Sequence, residues 1–428
     1  MMNASQRRTR RLLLKAAPAG ILYAMGIGRA RALSSPPEDV DRYLERLCRE
    51  QHIPGLSVCI VGQRGIAWSK GYGFASLEPS TRMSPSQTVL NIGSVSKTVT
   101  ATALMQLCQR GVLSLTQDVN EILPFSLRNP FHPTVPITIQ HLLVHRSSIQ
   151  DGPAYSRSYA CGPSKLVLGD WLRSYLSPGG SLFDAKSNFH PWEPGQSIVP
   201  SEPRSYSNIA FGVLGYLVEL ASKTEFSSYC RQEIFAPAGM RDTTWRLRDV
   251  PPRRHAVPYS FVDASFTLPE GWSPADMLPA NEAVVRNWPP ARGSQYPHCA
   301  YEFATYPDGG LRSTAEDLGR FLQAHINGGA STHGRILNEG TVVQMLSDQH
   351  LRGDGIQGLG WVGRTAKTGQ ILWGHGGSDP GVVTAMYFDP IQKIGLVVLS
   401  NGSQDAAKGV VDYLYQYHLD HQWPPLKS

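Results

Sequence analysis

Asn91-Ile92-Gly93-Ser94-Val95-Ser96-Lys97-Thr98 is where an apolar, strand-like stretch gives way to a long helical pattern. A serine three residues before a lysine at a helix start puts both side chains on one face, about one turn apart. The pairing sets a weak nucleophile beside an amine able to take its proton, which is the basis of acyl-transfer chemistry. Of the ten lysines, only Lys97 has a serine three positions upstream. Taken alone, the tetrapeptide equally suits a helix N-cap serine followed by a solvated first-turn lysine. Its surroundings have to decide.

Working outward, Thr98 to Arg110 is apolar on nearly every side and stops at Gly111, the pattern of a buried helix. Upstream, Leu56–Val61 and Ile66–Tyr72 read as two strands around Gly62-Gln63-Arg64-Gly65, a hairpin. Before them, Pro37–Gln51 carries Val40, Leu44 and Leu47 on one helical face. Downstream, to about residue 300, helical patterns are broken by long Pro/Gly/Ser loops near 150–205 and 250–300. Ser313-Thr314-Ala315-Glu316-Asp317 caps a helix over 315–327. Strand patterns then return at 359–364, 371–374, 382–388 and 394–400, and a helix over 405–418 closes the chain. Strands from both chain ends with helices between them predict an α+β fold: an antiparallel sheet flanked by N- and C-terminal helices, with an inserted, mainly helical region. The sheet region covers about 37–93 and 300–428, and the helical region about 94–299, within one domain spanning 33–428.

The formal charge of +6 resides at one end. Residues 1–32 hold seven cations (Arg7, Arg8, Arg10, Arg11, Lys15, Arg29, Arg31) and no acids. Setting those seven aside leaves 33 basic residues against 34 acidic ones, so nothing suggests a nucleic-acid partner. Thr9-Arg10-Arg11-Leu12-Leu13-Leu14-Lys15 resembles the twin-arginine export pattern, with Leu13 where Phe is usual. An apolar run, 16–27, and Ala30-Arg31-Ala32 as a cleavage site complete the reading of 1–32 as an export signal. The run is too short and glycine-rich to form a stable membrane span. The expected location is therefore periplasmic or secreted. The six cysteines show no CxxC or metal-like spacing; Cys59 and Cys108 lie in apolar runs as packed thiols, and no disulfide can be assigned.

Two further motifs follow in the order the chemistry needs. Tyr206-Ser207-Asn208 precedes a helical run, 209–220. A tyrosine phenol donates and accepts protons, and an asparagine amide can hold a substrate carbonyl. His375-Gly376-Gly377-Ser378 follows the strand-like Leu372-Trp373, and its glycines let backbone N–H groups approach a bound acyl group.

With these motifs in this order, residues 37–420 resemble the serine β-lactamase and penicillin-binding-protein superfamily, in particular its class C and D-alanyl-D-alanine carboxypeptidase branch with related esterases. Ile139-Gln140-His141-Leu142-Leu143-Val144-His145 and Asp308-Gly309-Gly310-Leu311-Arg312-Ser313-Thr314 add to the likeness. The resemblance implies that Ser94 is acylated, Lys97 is its partner and Tyr206 is a second proton-transfer group. It also implies that Asn208 contacts the substrate, that the backbone N–H groups of Ser94 and Ser378 form an oxyanion hole, and that His375 takes the place of a lysine. Lys367-Thr368-Gly369 spells that lysine motif literally, but it falls between two short strand patterns and reads as a hairpin turn.

Three departures bear on specificity and shape. Gly376 lacks the hydroxyl that holds a substrate carboxylate in the β-lactamases. A histidine at 375 is neutral for much of its time near neutral pH, unlike a lysine. Ser148 stands where glycine is usual after His145-x-Ser. The expected function is a secreted serine hydrolase acting through an acyl-enzyme on a small-molecule ester, amide or peptide. The alternatives are a β-lactamase or D-Ala-D-Ala carboxypeptidase, and a non-catalytic binding protein on the same scaffold. No metal or organic cofactor is called for: His141 and His145 lack a third ligand in sequence, and they read as packing and loop-anchoring residues.

Overall fold

Alternation along a strand decides how this chain layers. In β1 (Gly55–Gly62), Leu56, Val58 and Ile60 enter one apolar cluster while Cys59 and Val61 enter another. β11 (Ile394–Ser400), its antiparallel neighbour, does the same with Leu396 and Val398 against Val397 and Leu399. Side chains of successive residues point to opposite faces, so each face of this sheet must be covered. Helices α1 (Glu38–Glu50) and α5 (Ala407–His421) cover one face, through Val40, Leu44, Val410, Val411 and Leu414. Helix α4 (Ala315–Ile326) covers the other, through Leu318, Phe321 and Leu322. Each fully buried aliphatic or aromatic side chain in these layers contributes about 1.5–3 kcal/mol.

The structure is a computed structural model that describes residues 37–196, 206–268, 289–347, 350–352 and 355–426. The proposed export signal at 1–32 lies outside the described residues. Besides β1 and β11, the main sheet contains β2 (Gly65–Ser76), β3 (Thr81–Arg82), β6 (His350–Arg352), β7 (Gly355–Gln357), β8 (Val362–Thr365), β9 (Ile371–Asp379) and β10 (Val382–Asp389). Its order is β6-β7-β8-β9-β10-β11-β1-β2-β3 and every pairing is antiparallel. The expected α+β architecture, with strands from both chain ends and helices between, is the one observed. Among the described residues, no helix is long and apolar enough to cross a membrane.

Two short strands tie the helical region to the sheet. β4 (Leu90–Asn91) pairs with β5 (Arg312–Ser313), which brings the segment before Ser94 against the one that follows Asp308. Helix α2 (Ser96–Gln109) then runs through the interior, buried from Ser96 to Leu107. It packs on α3 (Asn208–Ser222), whose N-cap Ser207 accepts the Ala210 N–H at 3.1 Å.

The strand pattern read at 371–374 needs extending: β9 continues through residues 375–378 to Asp379, pairing with Val382–Met386 of β10, and the chain reverses at Pro380-Gly381. A strand made of glycines is favoured here because other backbone packs directly on its face, where a side chain would intrude. The pairing that the sequence left open is now assigned: Cys161 and Cys299 form a disulfide across 138 residues, beside a small ladder in which Ala160–Cys161 pairs with Tyr301–Glu302. Cys59 and Cys108 are free thiols, Cys59 fully buried and Cys108 half-buried.

Candidate active site

The chain leaves β4 at Asn91 and tightens into a 3-10 turn, Gly93–Val95, before α2 begins. Gly93 takes φ +52°, a left-handed conformation that glycine adopts without strain. Ser94 sits on this turn, half-buried, and its side chain caps no helix. Instead Ser94 Oγ lies 3.0 Å from Lys97 Nζ and 2.9 Å from Tyr206 Oη. The N-cap reading of Ser94 is thereby set aside. Lys97 is fully buried, so it is no solvated cation.

Around Lys97 Nζ there are three acceptors: Ser94 Oγ at 3.0 Å, Asn208 Oδ1 at 2.6 Å and the Asp308 carbonyl at 2.8 Å. They match the three N–H bonds an ammonium carries. The group also faces the Tyr206 ring at 4.9 Å and the Phe211 ring at 5.6 Å. Tyr206 is held from behind by His145, whose ring stacks on it at 4.3 Å while accepting the Ser207 N–H on Nδ1 at 3.2 Å. His145 therefore anchors the loop, as its spacing implied. Ser148 takes φ +61°, the conformation glycine would favour, and is buried with Oγ accepting from Asn129 at 2.8 Å.

Asn208 aligns the lysine. Its carbonyl oxygen faces Lys97, and its amide nitrogen donates to Asp151 Oδ2 at 2.9 Å. Asp151 was not legible in the sequence as a site residue. Its carboxylate also accepts the Asn208 and Ile209 N–H groups at 2.9 and 3.0 Å and the Ser207 hydroxyl at 3.2 Å, at the positive end of α3. Burial raises its pKa, while these donors and the Lys97 charge pull the other way.

Asp308 supplies more than its carbonyl. Its carboxyl accepts from Thr305 Oγ1 at 2.6 Å and Tyr155 Oη at 3.0 Å, and burial pushes it up to about 7 against the opposing Lys97 charge. The Asp308-Gly309-Gly310 motif thus reads as one face of the lysine's cradle, with Gly309 packed against Gly93.

The third motif lies on β9, alongside the nucleophile turn. His375 is buried, its Nδ1 is 2.5 Å from the Gly376 carbonyl and its ring is 6.3 Å from that of Tyr206. A Cβ on Gly377 would fall 2.2 Å from the Ile92 carbonyl and 2.3 Å from Thr384 Oγ1. One on Gly93 would fall 3.1 Å from the Ser378 nitrogen. The two glycines let the turn bearing Ser94 sit directly on the strand bearing Ser378. Gly376 instead faces Lys408, on α5. Lys367 lies in the turn between β8 and β9, where Ala366 donates to the Gln370 carbonyl at 2.8 Å, so it stays outside this cluster.

Set beside models of known families, residues 40–419 match the one described as Beta-lactamase. The chain belongs to the beta-lactamase family. Members of this family are serine hydrolases. Among curated relatives, Protein flp of Staphylococcus aureus (strain N315) is 21% identical over 406 residues, which cover 92% of this chain and 68% of the relative. Among solved structures, the octameric penicillin-binding protein homologue from Pyrococcus abyssi is 22% identical with a TM-score of 0.67, over 89% of this chain and 77% of that one. D-amino acid amidase from Ochrobactrum anthropi SV3, complexed with L-phenylalanine amide, is 20% identical with a TM-score of 0.68, over 90% and 100%. Those two likenesses are of fold.

Proposed function

We propose that this member of the beta-lactamase family hydrolyses an uncharged ester or amide through an acyl-enzyme on Ser94. The observation that carries the reading is that Ser94 Oγ is held by both Lys97 and Tyr206 inside a largely buried cluster. The Lys97–Tyr206 pair acts as the base for the serine hydroxyl, to which both are hydrogen-bonded. Ser94 Oγ forms a bond to the substrate carbonyl carbon as its proton passes to that pair. The tetrahedral oxyanion accepts from the Ser94 and Ser378 N–H groups, each donor worth about 3–4 kcal/mol in comparable sites. Tyr206 hands the proton to the leaving oxygen or nitrogen as that bond breaks, and water then releases the acid from Ser94.

The preference for a substrate without a carboxylate follows from the strand. Gly376 offers no hydroxyl, and the imidazole of His375 replaces a permanent cation. Export through the twin-arginine-like leader belongs to the same proposal, and the Cys161–Cys299 disulfide is in keeping with an oxidising compartment.

The test is incubation with a fluorophosphonate and, in parallel, a fluorescent penicillin, each followed by intact-mass measurement. The expected outcome is a fluorophosphonate adduct that disappears in Ser94→Ala, with turnover of p-nitrophenyl esters or amino-acid amides exceeding that of a chromogenic cephalosporin. A lasting penicilloyl adduct would move the assignment to a penicillin-binding specificity. No adduct of either kind in folded protein would leave a binding protein and end the hydrolase proposal.

A further inference from the structure

The two halves of the oxyanion hole come from distant parts of the chain, Ser94 from the turn after β4 and Ser378 from β9. One side chain spans the gap between those segments. Asn91, 3% exposed, accepts the Gly93 N–H on Oδ1 at 2.7 Å, one residue before Ser94. On its other side, Nδ2 donates to Asp379 Oδ2 at 3.2 Å, one residue after Ser378. Asp379 is itself fixed: Oδ1 accepts from Tyr159 Oη at 3.2 Å, and the Tyr301 hydroxyl also bonds the carboxyl. A second strut, Thr384 Oγ1 to the Ile92 carbonyl at 2.7 Å, ties the same turn to β10. The glycines at 93 and 377 let the turn and the strand pack backbone on backbone, and these polar links lock the two together at that separation.

We infer that Asn91, anchored on Asp379, is a positioning residue that sets the separation of the Ser94 and Ser378 N–H groups and so their fit to a tetrahedral oxyanion. This rests on the hydrolase reading above. Donors already in place cost no reorganisation when charge develops, and a shift of about 1 Å can forfeit much of their effect. A buried asparagine kept only for stability would lower the amount of folded enzyme but leave each active site as it was.

The experiment uses the full chain with a p-nitrophenyl ester and a boronic acid, whose tetrahedral adduct on Ser94 places an oxygen in the hole. Working sites are counted by endpoint fluorophosphonate labelling. Asn91→Ala is expected to lower kcat per labelled site by about 10- to 100-fold with KM nearly unchanged, and to weaken the boronic acid by a similar factor. Asn91→Asp sets two acceptors against each other wherever both carboxyls are ionised, and at the alkaline end of the assay range it should behave likewise. Combining Asn91→Asp with Asp379→Asn restores the bond with donor and acceptor exchanged, because Asp379 Oδ1 keeps its role toward Tyr159, and should recover most of both losses. Unchanged kcat and boronic acid affinity in Asn91→Ala, or a loss confined to KM, overturns this inference alone. A paired exchange no better than Asn91→Asp also overturns it. Failure of the unaltered enzyme to label at Ser94 would bring down the hydrolase reading and this inference together.

Discussion

Asp151 reaches the Ser94–Lys97–Tyr206 cluster through Asn208, and its replacement by asparagine should damage catalysis more than stability. Its Oδ1 accepts from Ser207 Oγ and the Ile209 N–H, and its Oδ2 accepts from the Asn208 N–H and the Asn208 Nδ2. Asp151→Asn keeps the volume but turns one acceptor into a donor. With the new NH2 group at the Oδ2 position, facing the Asn208 N–H as well, a flip of the Asn208 amide offers it an oxygen. That flip points Asn208 Nδ2 at Lys97 Nζ, where Oδ1 now lies at 2.6 Å. One hydrogen bond of this kind is worth about 1.5–3 kcal/mol, so kcat should fall roughly 10- to 150-fold. KM should stay nearly constant, because the lost contact is to the catalytic pair and not to substrate. Asp151→Ala additionally strips the start of α3 of its acceptor, at about 2–4 kcal/mol. At about 2.1 cal/mol/K per residue, that is a Tm drop of about 2–5 °C for a chain of this size. The assay is burst and steady-state hydrolysis of a p-nitrophenyl ester per labelled site, with circular-dichroism melts alongside. Retention of kcat within about twofold in Asp151→Asn would refute the chain of contacts from Asp151 through Asn208 to Lys97.

Two other perturbations separate the faces of β9 and the charge state of the interior. Gly377→Ala puts a methyl 2.2 Å from the Ile92 carbonyl and should push the nucleophile turn away, whereas Gly376→Ala meets only the flexible end of Lys408, at 2.9 Å. Ester turnover should fall by about 100-fold or more in the first and change by less than about threefold in the second; equal losses would show that the glycines act through the strand alone. Asp308, raised by burial from 3.8 to about 7, keeps a proton in the folded state that the unfolded chain has shed. Folding stability from this group therefore falls as pH rises from about 4 to about 7 and is level above. Melts of Asp308→Asn against the unaltered chain, between about pH 5 and about pH 8, should show the difference moving in the variant's favour as pH rises. A constant difference would contradict it.

The clustering of Ser94, Lys97 and Tyr206 was legible because each lies in a motif of fixed local spacing and the motifs follow one another in a set order. His375 was separable from Lys367-Thr368-Gly369 because hairpin chemistry competes with a literal match: Gly369 does take φ +88° in a turn. Asp151 was hidden because its partners lie 56–58 residues away and its own neighbourhood has no pattern. The same holds for the Cys161–Cys299 pair and for Tyr155 and Tyr159, which reach Asp308 and Asp379 across 153 and 220 residues. Periodicity placed β11 at 394–400 but ended β9 too early, since glycine carries no alternation to read.

The place of β1 between β2 and β11 governs how the molecule must be made. Leu56 finds its partner Ser400 only after 344 further residues have been translated. Until then the β1–β2 hairpin leaves the ribosome with one side of its ladder unmatched and its apolar Leu56, Val58 and Ile60 awaiting α5. A nascent chain released before residue 394 therefore carries an adhesive rim at its centre, and such fragments should be substrates for chaperones and proteases.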